Sequence, residues 1–236
     1  MPTTSDVLAA PTARYARTGR GYYDVVAVFF VAFLLLSNIG ATKLIGVNAG
    51  ALHLVFDGGA ILFPLTYILG DVLSEVYGFR SARRVIVLGF VASIIASLTF
   101  YLVQIAPPDA DYTSQAAFEA VLGQVPRFVL ASLLGYLCGQ LLNSYVLVWI
   151  KDRFGEERLW VRLLGSTVVG ELADTAIFCT VAWAGSIPVA TIVNLALTGY
   201  VYKVAVEAVL LPLSYLTVGW VKRREPTYSE STESQA

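Results

Sequence analysis

The chain is poor in charged residues for its length. Only 14% of its 236 residues are charged, against about 25% in soluble domains. Hydrophobic residues make up 57% of the chain, and the mean hydropathy is +0.69. This composition excludes an ordinary water-soluble globular protein and indicates an integral membrane protein. The formal net charge of −1 gives no basic excess, so we expect no nucleic-acid partner.

Histidine and cysteine are rarer still. The one histidine, His53, lies between the first two apolar runs, and the two cysteines, Cys138 and Cys179, lie within apolar stretches. No zinc-type cluster and no disulfide are therefore expected. The sequence also lacks a phosphate-binding glycine-rich loop that ends in lysine. We expect no cofactor, no ATP hydrolysis by this chain and no enzymatic activity.

Long apolar runs recur along the chain at the length of a bilayer crossing. A hydrocarbon core of about 30 Å requires about 20 helical residues. Six runs meet that length approximately, over residues 25–42, 58–79, 85–106, 128–150, 163–184 and 189–221. The sequence therefore predicts an all-α integral membrane protein with six transmembrane helices in a domain over residues 21–224. Residues 1–20 are predicted to be a disordered cytoplasmic arm and residues 225–236 a polar cytoplasmic tail.

Basic residues set the predicted orientation. With the N-terminus inside, thirteen of the sixteen lysines and arginines fall on the inner side, as the positive-inside rule requires. Both termini are then cytoplasmic. Halving the chain gives two groups of three helices, which must run in opposite directions because three is odd. We therefore expect two inverted three-helix repeats with a site near the membrane midplane.

Acidic residues interrupt the predicted spans. Asp71 and Glu75 share a face of the second helix at a spacing of four, and Glu171 and Asp174 share a face of the fifth at a spacing of three. Asp71 and Glu171 each lie nine residues from a basic residue at the inner boundary, or about 13 Å. The two acidic pairs are therefore predicted at matching depth.

The sixth predicted helix carries Lys203 and Glu207, so the spans hold five carboxylates and one ammonium group. Four uncompensated charges in a bilayer are not tenable, because each costs at least about 2.5 kcal/mol at a helix centre. Some of these carboxyls must be protonated, bound to a cation or bonded to a donor-rich substrate. The alternative is that these side chains only hold helices together and that Lys203 pairs with Glu207 or Asp174.

Uncharged polar side chains also lie within the predicted spans, and they are weaker candidates for the same site. Gln140 and Asn143 lie with Ser132 and Tyr136 on one face of the fourth helix, and Asn38 lies on the first. Amides at helix contacts are common in membranes, so a substrate role and a packing role remain equally open for Gln140 and Asn143. Tyr67 could stack on a flat ligand or serve in packing.

Three segments resemble one known family. They are GGAILFPLTYILGDVLSEVYGFRSARRVIVLGF (58–90), GELADTAIF (170–178) and YKVAVEAVLLPLSYLTV (202–218). In this order they resemble the queuosine precursor transporter family, earlier named for vitamin uptake. The resemblance implies a multi-pass protein of the inner membrane that imports 7-deazaguanines, namely 7-cyano-7-deazaguanine, 7-aminomethyl-7-deazaguanine or queuine, for salvage in tRNA modification. The expected substrate-binding residues are Asp71, Glu75, Glu171, Asp174, Lys203, Glu207, Gln140, Asn143 and Tyr67.

Two other functions remain open at this point. The chain could be the substrate-binding membrane subunit of an ATP-energised complex for vitamin or purine uptake. It could also be an intramembrane aspartyl enzyme in which two carboxyls share a proton, although it has no protease motif. Proton coupling is a further hypothesis, motivated by the excess of acids, and a homo-oligomer is compatible with the sequence.

Overall fold

A computed structural model describes residues 15–19, 21–50, 52–154 and 159–228. Its longest elements are helices, as the apolar runs predict. They are α1 (Tyr23–Gly40), α2 (Phe63–Ile105), the short α3 (Gln115–Leu122), α4 (Val125–Phe154), α5 (Leu159–Trp183) and α6 (Val189–Arg224). Within the described residues, four helical stretches are long and apolar enough to cross a membrane: Tyr23–Gly40, Phe63–Ile105, Gln115–Asn143 and Val189–Arg224. The chain is a multi-pass membrane protein.

A β-hairpin follows α1, and the sequence analysis did not predict it. Strands β1 (Leu44–Ala49) and β2 (Leu52–Asp57) pair antiparallel, with Ala49 opposite Leu52. Gly50 adopts φ +63° at the turn, a backbone conformation that glycine takes without strain. The apolar residues on both sides of Gly50 look like helix ends in a membrane protein, which hides the strand pattern.

The hairpin is fixed to α6 by one side chain. The Val55 N–H donates to Asn194 Oδ1 at 3.0 Å, and Asn194 Nδ2 donates to the His53 carbonyl at 2.8 Å. One amide therefore satisfies a backbone donor and a backbone acceptor of β2 and links the strand to α6. A short 3-10 turn, Gly58–Ile61, then leads into α2.

The long α2 is broken at Gly78, where the backbone adopts φ 82° and ψ 162°. Both sides of the break lie along α1. A Cβ on Gly70 would lie 3.9 Å from the Phe30 ring, and one on Gly89 would lie 2.8 Å from Leu34. Phe30 and Leu34 are one turn apart, so the two parts of α2 run beside the same stretch of α1.

The break is held by residues from both ends of the chain. The Ala16 N–H donates to the Val76 carbonyl at 2.8 Å. Glu225, only 1% exposed, accepts from the Tyr77 hydroxyl at 2.7 Å and from the Tyr22 N–H at 3.0 Å. Residues 15–19 and 225–228, which the sequence analysis assigned to the arm and the tail, thus include buried contacts. Residues 1–14 and 229–236 lie outside the described part of the chain.

We predict that Gly78→Ala lowers the stability of the folded protein. The φ and ψ of Gly78 are strained for any other residue, at a cost of about 1–3 kcal/mol, and the new Cβ would lie 3.1 Å from the Tyr15 ring. Thermal unfolding in detergent micelles should show a lower midpoint.

Gly219→Ala is the matched control for this substitution. Gly219 lies inside α6, and a Cβ there meets nothing within 4 Å, so alanine should stabilise the helix slightly. Equal midpoints for the two variants would contradict a strained break at Gly78.

Candidate functional site

A cavity of about 570 Å³ lies among the long helices. Its wall is formed by α1, α2, α4, α5 and α6, together with the end of β2 and the 3-10 turn. The volume is within the range of small-molecule sites, about 300–1,000 Å³. The cavity brings together side chains that are up to 177 positions apart, from Phe30 to Glu207, so it is a product of the tertiary fold.

Lys203 lies at the centre of the ionic contacts in this cavity. Its Nζ lies 2.6 Å from Asp174 Oδ2 and 3.3 Å from Glu171 Oε2. The three side chains are 22–24% exposed, and the ammonium also faces the Phe63 ring at 5.5 Å. These three residues, called the Lys203 triad below, join α5 to α6 and carry one net negative charge when all are ionised.

Glycines on α4 allow Asp174 to approach that helix. A Cβ on Gly135 would lie 2.7 Å from Asp174 Oδ1, and one on Gly139 would lie 2.9 Å from the Gly170 carbonyl. Any larger residue at these positions would separate α4 from α5 and displace the carboxylate. The backbone contact between the two helices therefore fixes where the Lys203 triad stands.

Asp71 and Glu207 also line the cavity. Neither carboxylate forms an ion pair within 4 Å in the described part of the chain. Tyr67, Gln140 and Asn143 line the same space, and Asn143 Oδ1 is buried without a hydrogen-bond partner among the described residues. The fold thus brings eight of the nine predicted site residues to one cavity.

Glu75 is the exception, and its expected place in the site needs correction. Its side chain is 67% exposed, pairs with Lys222 at 3.6 Å and does not belong to the cavity wall. A spacing of four turns the helix by about 400°, so Glu75 is rotated by about 40° from Asp71. The same offset leaves both Lys203 and Glu207 in the cavity wall, so rotation alone does not exclude Glu75. Glu75 lies one turn nearer the break at Gly78, where it meets Lys222 of α6.

Sequence reasoning missed Asp57 as a site residue. It stands between β2 and the 3-10 turn, lines the cavity and accepts the Gly59 N–H on Oδ1 at 2.9 Å. Burial raises the pKa of Asp57, and the nearby Lys203 charge and the Gly59 and Ala60 N–H groups offset part of that rise. From sequence alone Asp57 looks like an ordinary boundary acid, because the hairpin that carries it inward was not predicted.

The two ends of the cavity differ in exposure. Toward the end of the molecule that carries the hairpin, the lining residues Asn38, Cys179 and Leu195 are buried. Toward the opposite end, the lining residues Ser74 and Gln140 are exposed. Leu73, which lines the cavity beside Ser74, is buried. We infer from the two exposed residues that the cavity opens toward the end where Arg80 and Arg224 lie and is closed at the hairpin end.

Comparison with known proteins identifies the family. A family described as "Putative vitamin uptake transporter" matches residues 57–217. A "Probable queuosine precursor transporter" of Bacillus subtilis (strain 168) is 37% identical over 160 residues, which cover 66% of this chain and 69% of the relative. The chain belongs to the queuosine precursor transporter family. It is a transporter, and its membership of the family agrees with the apolar helices.

A second relative in the family is more distant. It is a "Probable queuosine precursor transporter" of Haemophilus influenzae (strain ATCC 51907 / DSM 11121 / KW20 / Rd), 23% identical over 187 residues, or 78% of this chain and 76% of the relative. No solved structure matches the chain. The family match begins at Asp57 and includes every cavity residue discussed above except Asn38, which lies on α1.

The cavity of this transporter is suited to organic ligands that carry hydrogen-bond donors. Its walls combine carboxylates, amides and aromatic rings, and carboxylates accept two neighbouring N–H groups at once. Among the described residues, no group of three His, Cys, Asp or Glu side chains is arranged to hold a metal ion.

We predict that Lys203→Met destabilises the transporter by about 3 kcal/mol. The substitution leaves Glu171 and Asp174 without their cation, and an uncompensated buried charge costs about 3–5 kcal/mol. The double variant Lys203→Met/Asp174→Asn should regain part of the loss, because one of the two charges is then removed. Denaturant unfolding in detergent micelles measures the difference.

Lys222→Met is the control for the loss of a lysine. Lys222 pairs with the exposed Glu75, and an exposed ion pair contributes about 1 kcal/mol or less. Similar losses of stability for Lys203→Met and Lys222→Met would show that the Lys203 triad is not a buried ionic contact.

Proposed function

We propose that this transporter imports queuosine precursors of the 7-deazaguanine class across the cytoplasmic membrane. The observation that carries the proposal is the cavity that contains the Lys203 triad together with Asp71, Glu207 and Asn143. The names of the two relatives support the substrate class. A guanine-like ligand offers adjacent N–H donors to a carboxylate and a carbonyl that accepts from an ammonium or amide group. The cavity supplies both kinds of partner.

The proposal includes six membrane crossings with both termini in the cytoplasm. α2 has 43 residues, or about 65 Å of helix, which is about twice the hydrocarbon thickness. The break at Gly78 and the contacts of both parts of α2 with α1 support two crossings in opposite directions. With α1, α4, α5 and α6 this gives six, and two groups of three would form inverted repeats.

We further propose that transport occurs by alternating access. An apolar cluster closes the hairpin end, where Phe128 and Trp183 meet edge to face at 5.0 Å and pack with Val55 of β2. In the proposed orientation this end is external and the open end is cytoplasmic. The observed arrangement then corresponds to an inward-open state, and import requires the apolar cluster to part in another state.

Proton coupling is the third element of the proposal. Within the described residues, the cavity wall holds Asp57, Asp71, Glu171, Asp174 and Glu207 against Lys203. One ammonium group cannot compensate five ionised carboxylates that line the same cavity within the membrane. At least one of them is therefore available to carry a proton with the substrate.

Asp71→Asn should lower the initial rate of uptake about tenfold or more. The test measures labelled 7-cyano-7-deazaguanine in cells that cannot synthesise the precursor. The substitution removes a charged acceptor from the cavity wall, and a hydrogen bond to a charged group contributes about 1.5–3 kcal/mol. Glu75→Gln is the matched control, one helical turn away and outside the cavity, and should retain uptake within about twofold.

Other outcomes of this experiment would contradict parts of the proposal. Absence of uptake by a folded, abundant parent chain would refute the substrate class. Equal uptake by Asp71→Asn and the parent would show that Asp71 does not take part in substrate binding. Failure of the purified chain in liposomes, despite uptake in cells, would favour the subunit of an ATP-energised complex.

A pH gradient should drive uptake if a cavity carboxyl carries the proton. We expect proteoliposomes with a more acidic exterior to accumulate the substrate above its external concentration, and a protonophore should abolish this accumulation. The control is a set of vesicles at the same external pH without a gradient, which should reach equal concentrations on both sides. Uptake that is unaffected by the gradient would show facilitated diffusion.

A further inference from the structure

The closed end of the cavity holds polar side chains that the Lys203 triad does not use. Asn38 of α1 and Thr175 of α5 line the cavity there. They are 5% and 4% exposed, and Asn38 Nδ2 and Thr175 Oγ1 have no hydrogen-bond partner among the described residues. A buried donor without a partner lowers stability, so such groups in a cavity wall indicate that a ligand or water completes them.

Asp57 lies at the same end of the cavity. The position that a Cβ on Gly59 would occupy is 2.9 Å from Asp57 Oδ1 and 2.7 Å from Ser37 Oγ. Asp57 therefore stands beside the last turn of α1, where Ser37 precedes Asn38. No ion pair within 4 Å engages the Asp57 carboxylate in the described part of the chain.

These three side chains have complementary hydrogen-bonding roles. A carboxylate oxygen of Asp57 accepts N–H groups, the Asn38 amide nitrogen donates, and the Thr175 hydroxyl does either. A ligand that satisfies them presents N–H donors beside a carbonyl acceptor. That arrangement is the lactam edge of a guanine-type heterocycle, in which the ring N–H and the amino group lie next to the carbonyl.

We propose that Asp57, Asn38 and Thr175 form the subsite that recognises the lactam edge of the substrate. The inference rests on the proposed function and extends it, since it assigns base recognition to these three side chains, beside the Lys203 triad. An adenine-type heterocycle has an amino group where the carbonyl stands, and its N–H would face the Asn38 donor. The subsite therefore selects lactam bases over amino bases.

The test is direct binding to the full chain purified in detergent micelles. Labelled 7-cyano-7-deazaguanine is titrated, and unlabelled guanine and adenine compete with it. Asp57→Asn should raise Kd about tenfold or more, because the charged acceptor is lost. It keeps an oxygen for the Gly59 N–H, so the turn should fold.

Asp109→Asn is the matched control for Asp57→Asn. Asp109 caps a turn in the same way, since its Oδ1 accepts the Asp111 N–H at 3.0 Å, but it is exposed and lies outside the cavity. Its Kd should equal that of the parent chain.

Thr175→Val provides a second variant that keeps the shape of the side chain. The Thr175 hydroxyl has no partner to lose in the described structure, so the unfolding midpoint should not fall, while Kd should rise about threefold or more. Thr180→Val is its control, on the same helix and exposed, with its hydroxyl bonded to the Ala176 carbonyl. If Asp57→Asn fails to fold, the comparison of Thr175→Val with Thr180→Val still tests the proposed subsite.

Binding separates this inference from the proposed function. Weaker binding by both cavity variants, with guanine competing better than adenine for the parent, would support the subsite even if uptake failed. Unchanged Kd in both variants, absence of binding by the folded parent or equal competition by guanine and adenine would overturn it. A fall in transport rate with unchanged Kd would also overturn it, because Asp57 would then act in the conformational change.

Discussion

A single ammonium group organises the polar interior of this transporter. Lys203 is held by Asp174 at 2.6 Å and Glu171 at 3.3 Å, and these contacts join α6 to α5 in the wall of the cavity. The three side chains are mostly buried, so removal of one partner leaves the remaining charges poorly compensated. The position of Asp174 depends in turn on the close approach of α5 to α4, which Gly135 and Gly139 allow.

Much of the helical framework and of the polar lining of the cavity could be predicted from sequence, because both depend on local rules. Long apolar runs require helices in a bilayer, and the spacings of the acids fix which of them share a face. Asp71, Glu171 and Asp174 were expected in one site on these grounds, and all three line the cavity. Glu75 satisfied the same rule, yet it lies one turn nearer the break at Gly78, pairs with Lys222 and stands outside the wall.

What sequence could not supply depends on tertiary contacts between distant segments. The hairpin at 44–57 is stabilised by Asn194, about 140 positions away, so nothing local marks it as a strand pair. Asp57 enters the cavity only because that hairpin folds back. Asn38 was visible as a polar residue in an apolar helix, but its Nδ2, which has no hydrogen-bond partner among the described residues, becomes informative only when its surroundings are known. The buried carboxylate of Glu225 beyond α6 depends likewise on Tyr22 and Tyr77.

Side-chain contacts tie neighbouring elements together around the cavity. Arg127 at the start of α4 donates to the Val181 carbonyl at 2.7 Å and also to Ser186, which ties α4 to the end of α5. Asn194 ties the hairpin to α6, and Glu225 ties the end of α6 to Tyr77 of α2. The Lys203 triad joins α5 to α6, and the apolar cluster around Phe128 joins α4, α5, α6 and β2. Under the proposed alternating access, the contact between Asp174 and Lys203 changes when the cavity opens to the other side. A proton or substrate that weakens this contact therefore favours the change.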